Sequence, residues 1–306
     1  MKALITGGSG FIGSFLSESL LQSGNSVICL DNLSTGFYDN IEDLIDNENF
    51  SFVKGDVMDE NLIDELVSQC DVVFHLAAAV GVDLILKNPI KILETNIKGT
   101  DAVLKSVTKY DKPVLIASTS EIYGKSTDYP FKEDSDRLLG PTTISRWAYS
   151  DSKAIDEFLS LGYFNQFHTK VVIARLFNTV GPRQTGRYGM VLPRFVESAL
   201  SDDEIKVYGD GTQRRCFMHV HDAIKGLISL IDNPAAYGQI YNIGQQKEIS
   251  IYELAEKIIQ LANSNSKIQL VPYSEAYDPG FEDMPRRIPD TTKINSLIGW
   301  KANIEL

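Results

Sequence analysis

The chain has 306 residues, of which 43% are hydrophobic and 23% charged, a composition typical of a globular protein of one or two domains. Because 41 acidic side chains outnumber 29 basic ones, the net charge is −12, which disfavours generic binding to nucleic acid or anionic membranes. No apolar run approaches the roughly 18 residues of a membrane span, and the start MKALITGG lacks signal-peptide features, so we expect a cytoplasmic protein.

Short β-rich runs alternate with longer segments of helical period up to residue 176. This alternation is typical of βαβ units, in which helices cover both faces of a parallel sheet. We predict strands over residues 2–6, 26–31, 50–55, 71–76, 113–118 and 169–176, with helices over 11–23, 60–70, 89–109 and 149–167. The sequence therefore predicts an α/β fold with a Rossmann-type, doubly wound parallel sheet.

The rhythm changes after residue 176, where Gly, Arg and later Pro interrupt the pattern and predict a smaller C-terminal lobe. A helix over 222–231, capped by Asp222, and a strand over 239–243 could rejoin the first sheet, so that the two lobes interleave. Ser250 and Glu253 form an S-x-x-E capping box, which predicts the start of another helix. We expect residues 1–177 plus about 212–244 in the first domain, and about 178–211 plus 245–306 in the second.

Three glycines, Gly7, Gly10 and Gly13, follow the first predicted strand and open the first helix. Their G-x-x-G-x-x-G spacing departs from G-x-G-x-x-G, but glycine still permits the tight turn and a close approach of the backbone to a pyrophosphate at the helix N-terminus. Asp31 ends the second strand 18 residues after Gly13, where its carboxylate can bind both ribose hydroxyls and repel a 2′-phosphate. We therefore predict that the first domain binds NAD rather than NADP.

Tyr149 and Lys153 form a Y-x-x-x-K motif, and this spacing puts both side chains on one face of a helix. Tyrosine ordinarily titrates near pH ~10, so a base at neutral pH requires a lowered pKa. The Lys153 ammonium, helped by the positive nicotinamide ring of NAD, is expected to lower the pKa of Tyr149.

With these motifs the sequence resembles, nearly end to end, the extended short-chain dehydrogenase/reductase family of NAD-dependent nucleotide-sugar epimerases, dehydratases and decarboxylases. His75 ends the fourth strand and is expected to be hydrogen-bonded to backbone rather than to carry protons. Asn96 resembles the family's structural asparagine, the alternative being a polar helix residue. The resemblance implies that NAD is held by Gly7, Gly10, Phe11, Ile12, Gly13, Asp31, Asn32, Ser34, Thr35, Gly36, Asp56, Val57, Leu76, Ala77, Ala78, Asn96, Ser118, Tyr149, Lys153 and Val180.

The same resemblance implies a common first step. Tyr149 takes the proton of the sugar 4-hydroxyl while the C4 hydride passes to NAD, and Lys153 orients the ribose and stabilises the phenolate. Thr119 stands where the family hydrogen-bonds the substrate hydroxyl and the tyrosine, although it could instead be a strand-end cap. The product of this step is a bound 4-keto sugar.

The neighbouring residues indicate how the 4-keto sugar reacts further. Dehydratases of the family carry Thr-Asp-Glu, whereas Thr119, Ser120 and Glu121 resemble the Thr-Ser-Glu of UDP-glucuronate decarboxylases, the UDP-xylose synthases. The stretch RWAYSDSK, residues 146–153, resembles that of the lipid A aminoarabinose-pathway decarboxylase and of UDP-apiose/xylose synthases. In those enzymes an arginine two residues before a proline serves decarboxylation, and Arg287 occupies that position.

These residues leave alternatives open. Glu121 would orient the sugar and relay a proton, or would only cap or pair at its loop. Arg287 would bind the carboxylate region or protonate the enolate at C5, or would hold a substrate phosphate as in epimerases. We favour a UDP-glucuronate decarboxylase over a UDP-sugar 4-epimerase. A non-catalytic NAD-sensing protein is a third hypothesis, disfavoured by the intact Thr119, Tyr149 and Lys153.

A UDP-sugar substrate brings a diphosphate, which arginine forks suit. The second-lobe regions contain Arg183, Arg187, Arg214, Arg215 and Arg287, although Arg187 and Arg214 could be solvated surface charges. The resemblance places Asn178 and Arg215 on the diphosphate, and Tyr208 with residues 191–195 near the base. The predicted substrate-binding residues are Thr119, Ser120, Asn178, Arg183, Val191, Tyr208, Arg215 and Arg287.

Two further expectations concern metals and assembly. Cys29, Cys70 and Cys216 lie far apart without a CxxC pair, and His219 and His221 point to opposite faces if extended, so we predict no metal site. The family usually dimerises through the helices that correspond to residues 89–109 and 149–167. We therefore expect a homodimer.

Overall fold

The computed structural model describes residues 1–79, 89–186, 190–276, 284 and 286–306. Within them, one sheet consists of seven parallel strands: β1 (Lys2–Thr6), β2 (Ser26–Asp31), β3 (Phe50–Lys54), β4 (Val72–His75), β5 (Val114–Thr119), β6 (Val171–Leu176) and β11 (Gln239–Ile243). Their order across the sheet is β11-β6-β5-β4-β1-β2-β3. The predicted fold class, an α/β protein with a Rossmann-type sheet, is confirmed.

Helices cover both faces of this sheet. In chain order the helices of the described residues are α1 (Phe11–Gln22), α2 (Glu60–Ser68), α3 (Pro89–Lys109), α4 (Trp147–Phe167), α5 (Val191–Leu200), α6 (Val220–Ile231), α7 (Ile251–Ala262), α8 (Tyr273–Ala276) and α9 (Thr292–Ile298). One buried apolar cluster joins α1 and α6 to one face, and a second joins α2 and α3 to the other. The sheet strands read as continuous apolar runs because both of their faces are buried.

The smaller lobe is built from short strands around a third apolar cluster, which includes Phe195, Val207 and Leu254. Its strands are β7 (Thr179–Val180), β8 (Ile205–Tyr208), β9 (Arg214–Cys216), β10 (Met218–His219), β12 (Glu248–Ser250), β13 (Ile268–Val271) and β14 (Arg286–Arg287). They pair as β10-β7, β12-β9-β14 and β13-β8. Because β11 pairs with β6, the chain returns to the large sheet between β10 and β12. The residue boundaries of the two domains stay a prediction.

Most predicted elements are observed with ends shifted by one or two residues. The capping box is confirmed: the Ser250 hydroxyl accepts from the Glu253 N–H, and the Glu253 carboxylate accepts from the Ser250 N–H. The predicted cap by Asp222 is wrong, because α6 begins earlier and His219 caps it. The Asp222 carboxylate instead accepts the N–H groups of Asn303 and Ile304, each at 2.8 Å, and so holds the C-terminal segment.

None of the described helices is long and apolar enough to cross a membrane.

Candidate active site

A cavity of about 740 Å³ lies at the carboxyl ends of the parallel strands, between the large sheet and the smaller lobe. Ligands of open α/β sheets bind in this position, because loops and helix N-termini converge there. Most residues predicted from the sequence line the cavity: Gly7, Gly10, Phe11, Ile12, Gly13, Asp31, Asn32, Ser34, Thr35, Val57, Leu76, Ala77, Ala78, Ser118, Thr119, Ser120, Glu121, Tyr149, Asn178, Val180, Arg183, Val191, Tyr208, Arg215 and Arg287.

The turn between β1 and α1 is packed so closely that only glycine fits. Gly7 has φ +72°, and a Cβ there would lie 2.8 Å from the Ala77 backbone N. A Cβ on Gly13 would lie 2.3 Å from the Gly7 carbonyl oxygen. Gly10 is the N-cap of α1 and has no side chain to occupy the helix N-terminus. The first turn of α1 therefore presents backbone N–H groups to the cavity, as a pyrophosphate requires.

The carboxyl end of β2 forms the next part of this region, where the sequence predicts the ribose contact of Asp31. The Asp31 carboxylate accepts hydrogen bonds from the N–H groups of Ser9 (3.1 Å) and Leu33 (2.8 Å), which fix its orientation. Asn32, which lines the cavity, donates a hydrogen bond to the Asp56 carboxylate at 2.9 Å. Asp56 does not line the cavity and holds the Asn32 side chain in place. A Cβ on Gly36 would lie 2.2 Å from Ser9 Oγ, so Gly36 closes the loop beside Asp31. Together with the glycine turn, this arrangement fits a dinucleotide with a free ribose 2′-hydroxyl.

Four residues predicted to bind the cofactor do not line the cavity: Gly36 and Asp56, described above, and Asn96 and Lys153. Asn96 accepts the Ala79 N–H at 2.9 Å and donates to Ser152 Oγ at 3.0 Å, which links the loop after β4 to α4. Lys153 is buried, and its Nζ contacts Asp156. Their predicted roles at the cofactor stay predictions.

His75 lies among hydroxyl groups rather than backbone. Its Nδ1 is 2.8 Å from Thr6 Oγ1 and its Nε2 is 3.1 Å from Thr100 Oγ1. The expected backbone partner is therefore wrong, since two threonines reach the ring from β1 and α3. Burial, with a smaller contribution from Lys153, lowers the pKa of His75 to about 3. The ring is neutral at neutral pH and serves as a structural link.

The proposed catalytic groups converge where β5 meets the first turn of α4. Thr119 ends β5, and its Oγ1 both accepts the Glu121 N–H at 3.2 Å and hydrogen-bonds the Tyr149 phenol. The strand-end cap and the contact with tyrosine therefore coexist. Burial is the largest cause that raises the pKa of Tyr149, followed by the charges of Glu121 and Asp156, whereas the Thr119 hydrogen bond lowers it. A nearby positive charge must offset these effects before Tyr149 can act as a base.

Two guanidinium groups hold the Glu121 carboxylate at the cavity wall. Arg287 Nη1 lies 2.6 Å from Oε1, and Arg146 Nη2 lies 3.2 Å from Oε2. The Arg146 side chain is only 4% exposed, compared with 19% for Glu121. Arg146 stands three residues before Tyr149, and Arg287 lies on β14. The cluster of these two arginines and Glu121 combines two positive charges with one negative charge.

The predicted site residues do not include Arg146. The R-W-x-Y resemblance contains it, but its contact with Glu121 depends on the entry of the chain into α4. The pairing of β14 with β9 then brings Arg287 to the same carboxylate. Other cavity-lining residues that the sequence prediction lacks include Lys91, Gln184, Lys206, Gln213 and Tyr273.

The far end of the cavity lies in the smaller lobe. Asn178 donates to the Cys216 carbonyl at 3.2 Å, and the Arg215 guanidinium binds the Arg214 carbonyl at 2.9 Å. The Arg194 guanidinium stacks 4.7 Å from the Tyr208 ring centre and donates to its hydroxyl. These contacts orient polar side chains around the nucleotide end.

The remaining predicted arginines differ in their surroundings. Arg183 donates to Ser14 Oγ at 3.2 Å and pairs with Glu18, so its guanidinium rests on α1. Arg214 lies near Glu253 at the surface, 3.5 Å apart, in agreement with the alternative of a solvated charge. Arg187 lies outside the described residues. Among the described residues, no group of three or more His, Cys, Asp or Glu side chains could hold a metal ion.

Comparison with known proteins agrees with this geometry. The family model described as GDP-mannose 4,6 dehydratase matches residues 4–306. The chain is 45% identical over 304 residues to UDP-N-acetyl-alpha-D-glucosaminuronate decarboxylase of Bacillus cytotoxicus, covering 99% of this chain and 93% of the relative. It is 36% identical to UDP-glucuronic acid decarboxylase 1 of Danio rerio, covering 100% and 70% of the two chains. A UDP-glucuronic acid 4-epimerase from Bacillus cereus, solved with UDP-glucuronic acid and NAD, superposes with a TM-score of 0.88 at 28% identity, covering 100% of this chain and 95% of that one.

Proposed function

The chain belongs to the GDP-mannose 4,6 dehydratase family and is an NAD-dependent nucleotide-sugar enzyme, and on that basis we propose that it decarboxylates a UDP-uronate through a 4-keto intermediate. The observation that carries the proposal is the cluster of Arg146, Glu121 and Arg287 beside Tyr149. All three residues line the cavity, where a bound sugar could reach both guanidinium groups. Guanidinium forks suit a carboxylate, so the two arginines could bind that of a uronate, whereas a neutral sugar offers them no anion.

The first step uses Tyr149 and Thr119. The phenolate of Tyr149 takes the proton of the sugar 4-hydroxyl, while the Thr119 hydroxyl, already hydrogen-bonded to the phenol, orients both groups. Bound NAD would supply the acceptor for the C4 hydride and the source of its later return. Gly7, Gly10 and Asp31 would hold the cofactor through the helix N-terminus and the ribose hydroxyls.

Loss of carbon dioxide is a consequence of the position of the carboxylate. In a 4-keto uronate the carboxylate at C5 is β to the ketone, so breaking the C5–C6 bond leaves an enolate. Arg287 and Arg146 would grip this carboxylate, and Glu121 would keep both guanidinium groups in place and relay the proton that C5 requires. Arg215 and Asn178 would bind the diphosphate, with Tyr208 near the base.

The substrate test compares charged and neutral sugars. Purified protein with NAD is incubated separately with UDP-glucuronate, UDP-N-acetylglucosaminuronate, UDP-glucose and UDP-N-acetylglucosamine, and each product is identified by mass and proton NMR. We expect a UDP-pentose, or its N-acetylamino counterpart, from one of the uronates. An unchanged mass with an inverted C4 coupling would instead identify a 4-epimerase, the activity for which the Bacillus cereus protein is named.

We also propose a homodimer that works in the cytoplasm. Ile155 and Phe158 lie on the outer face of α4, the Phe158 side chain is 70% exposed, and Gly162 one turn further leaves that face open. A second copy packed helix against helix would cover this stripe. Phe158→Glu should convert the dimer to a monomer in light scattering, whereas a wild-type monomer would refute the proposal. Cys29, Cys70 and Cys216 are buried free thiols, which suits a reducing compartment.

A further inference from the structure

The ammonium of Lys153 contacts a carboxylate to which the proposed reaction gives no role. Lys153 Nζ lies 2.7 Å from Asp156 Oδ2, one turn further along α4. The Lys153 side chain is 2% exposed and that of Asp156 is 0% exposed. Water does not screen this pair, so each charge strongly affects the other.

Groups from neighbouring elements enclose the pair. The Thr100 hydroxyl on α3 lies close enough to Asp156 to stabilise its carboxylate, and it is 3.1 Å from His75 Nε2 at the end of β4. The ionisable groups that face the pair or its neighbour Tyr149 are Tyr149 and Glu157 on α4, His75 on β4, and Glu121 after β5. Asp156 is therefore part of the charge balance around the proposed base.

We propose that Asp156 is a positioning residue that holds the Lys153 ammonium in place and, through its own charge, sets the pH range in which Tyr149 accepts a proton. The proposal rests on the proposed function only for oxidation at C4, the step that decarboxylation and epimerisation share. The Y-x-x-x-K motif by itself does not specify which residue holds the Lys153 ammonium.

The physical reason is that two buried charges hold each other in place. A carboxylate at hydrogen-bond distance anchors the ammonium, because burying either charge without the other is costly. The same carboxylate disfavours the phenolate, since Asp156 is among the charges that raise the pKa of Tyr149. Asp156 thus fixes the position of the ammonium and shifts deprotonation of the tyrosine to higher pH.

Removing this single negative charge should make the phenol easier to deprotonate. In Asp156→Asn the Tyr149 phenol gives up its proton at lower pH, because a charge that raises its pKa is gone. The acidic limb of the pH–rate profile should therefore move to lower pH, by about 1 pH unit. A residue that only stabilised the helix would lower the rate without moving this limb.

The experiment measures C4 oxidation in single turnover, followed by the absorbance of the reduced nicotinamide, as a function of pH. Asp156→Asn should show the acid shift, and Asp156→Glu should restore the wild-type profile. Asp151→Asn is the matched control, because it removes the same charge from α4 at an exposed site paired with Arg137 at 3.1 Å. A profile of Asp156→Asn that coincides with wild type, or lies at higher pH, overturns the proposal.

A second measurement needs no activity. Thermal unfolding is compared for Lys153→Met, Asp156→Leu and the double variant. Each single variant buries one uncompensated charge, so the double variant should recover at least half of the larger loss in Tm. Losses that simply add would show that the two charges are not coupled and would overturn the proposal. Because this cycle does not involve a substrate, it distinguishes failure of the Asp156 proposal from failure of the proposed function.

Discussion

Replacing Arg287 by methionine tests whether the arginine cluster recognises a carboxylate. Methionine approximates the length and volume of the side chain but removes the guanidinium that lies 2.6 Å from Glu121 Oε1. A hydrogen bond to a charged group contributes about 1.5–3 kcal/mol, which corresponds to about a 10- to 150-fold change in Kd. The affinity for UDP-glucuronate should fall by this factor, because the guanidinium proposed to bind its carboxylate is gone.

The assay is calorimetric titration of the NAD-loaded enzyme with UDP-glucuronate and with UDP-glucose. The two ligands share the nucleotide and differ at C6, so the loss should be confined to UDP-glucuronate. Arg286→Met is the matched control: Arg286 precedes Arg287 but pairs with Glu248 at 2.6 Å and does not line the cavity. Equal weakening of both ligands by Arg287→Met would refute the reasoning and assign Arg287 to the diphosphate.

Three further predictions concern the base, a buried ion pair and pH. Tyr149→Phe should reduce turnover by about 10² to 10⁴ while NAD binding is retained, and a rate within a factor of a few of wild type would contradict its role as base. Glu157→Gln should lower the free energy of unfolding, measured in urea, by about 3–5 kcal/mol. The reason is that buried Arg175 loses the carboxylate that it contacts at 2.7 and 2.9 Å. A loss below about 1 kcal/mol would contradict this. The pKa of His75 is about 3 in the folded protein and about 6.5 in the unfolded chain. Its contribution to stability is therefore present above about pH 6.5 and is lost as the pH falls toward 3. The free energy of unfolding should fall by at most about 1.4 kcal/mol per pH unit from this group. His75→Gln should remove this part of the slope in unfolding measured at several pH values, and an unchanged slope would contradict it.

The large sheet and the cofactor turn could be predicted because their signals are local. The apolar runs of the strands are continuous because both faces of the sheet are buried. Gly7, Gly10 and Gly13 all lie in one short segment between the first strand and the first helix. Tyr149 and Lys153 are likewise one helical turn apart. Such patterns depend on spacing alone, so the sequence contains them in full.

The parts that could not be predicted depend on contacts between distant segments. Arg146 and Arg287 meet at Glu121 only because β14 pairs with β9 and α4 begins where it does. Asp222 carries the local signal of a helix cap, yet its carboxylate is taken by backbone N–H groups near the C-terminus. Asp156 reads as an ordinary polar helix residue until the burial of its pair with Lys153 is seen.

The most direct test of the account is the fate of the uronate carboxyl carbon. UDP-glucuronate and UDP-N-acetylglucosaminuronate labelled with carbon-13 at C6 are turned over by the NAD-loaded enzyme, and carbon NMR follows the label. We predict that the label of one of them leaves as carbon dioxide, that Tyr149→Phe stops its release, and that the sugar product has one carbon fewer. A label that stays in the nucleotide sugar throughout turnover would contradict decarboxylation.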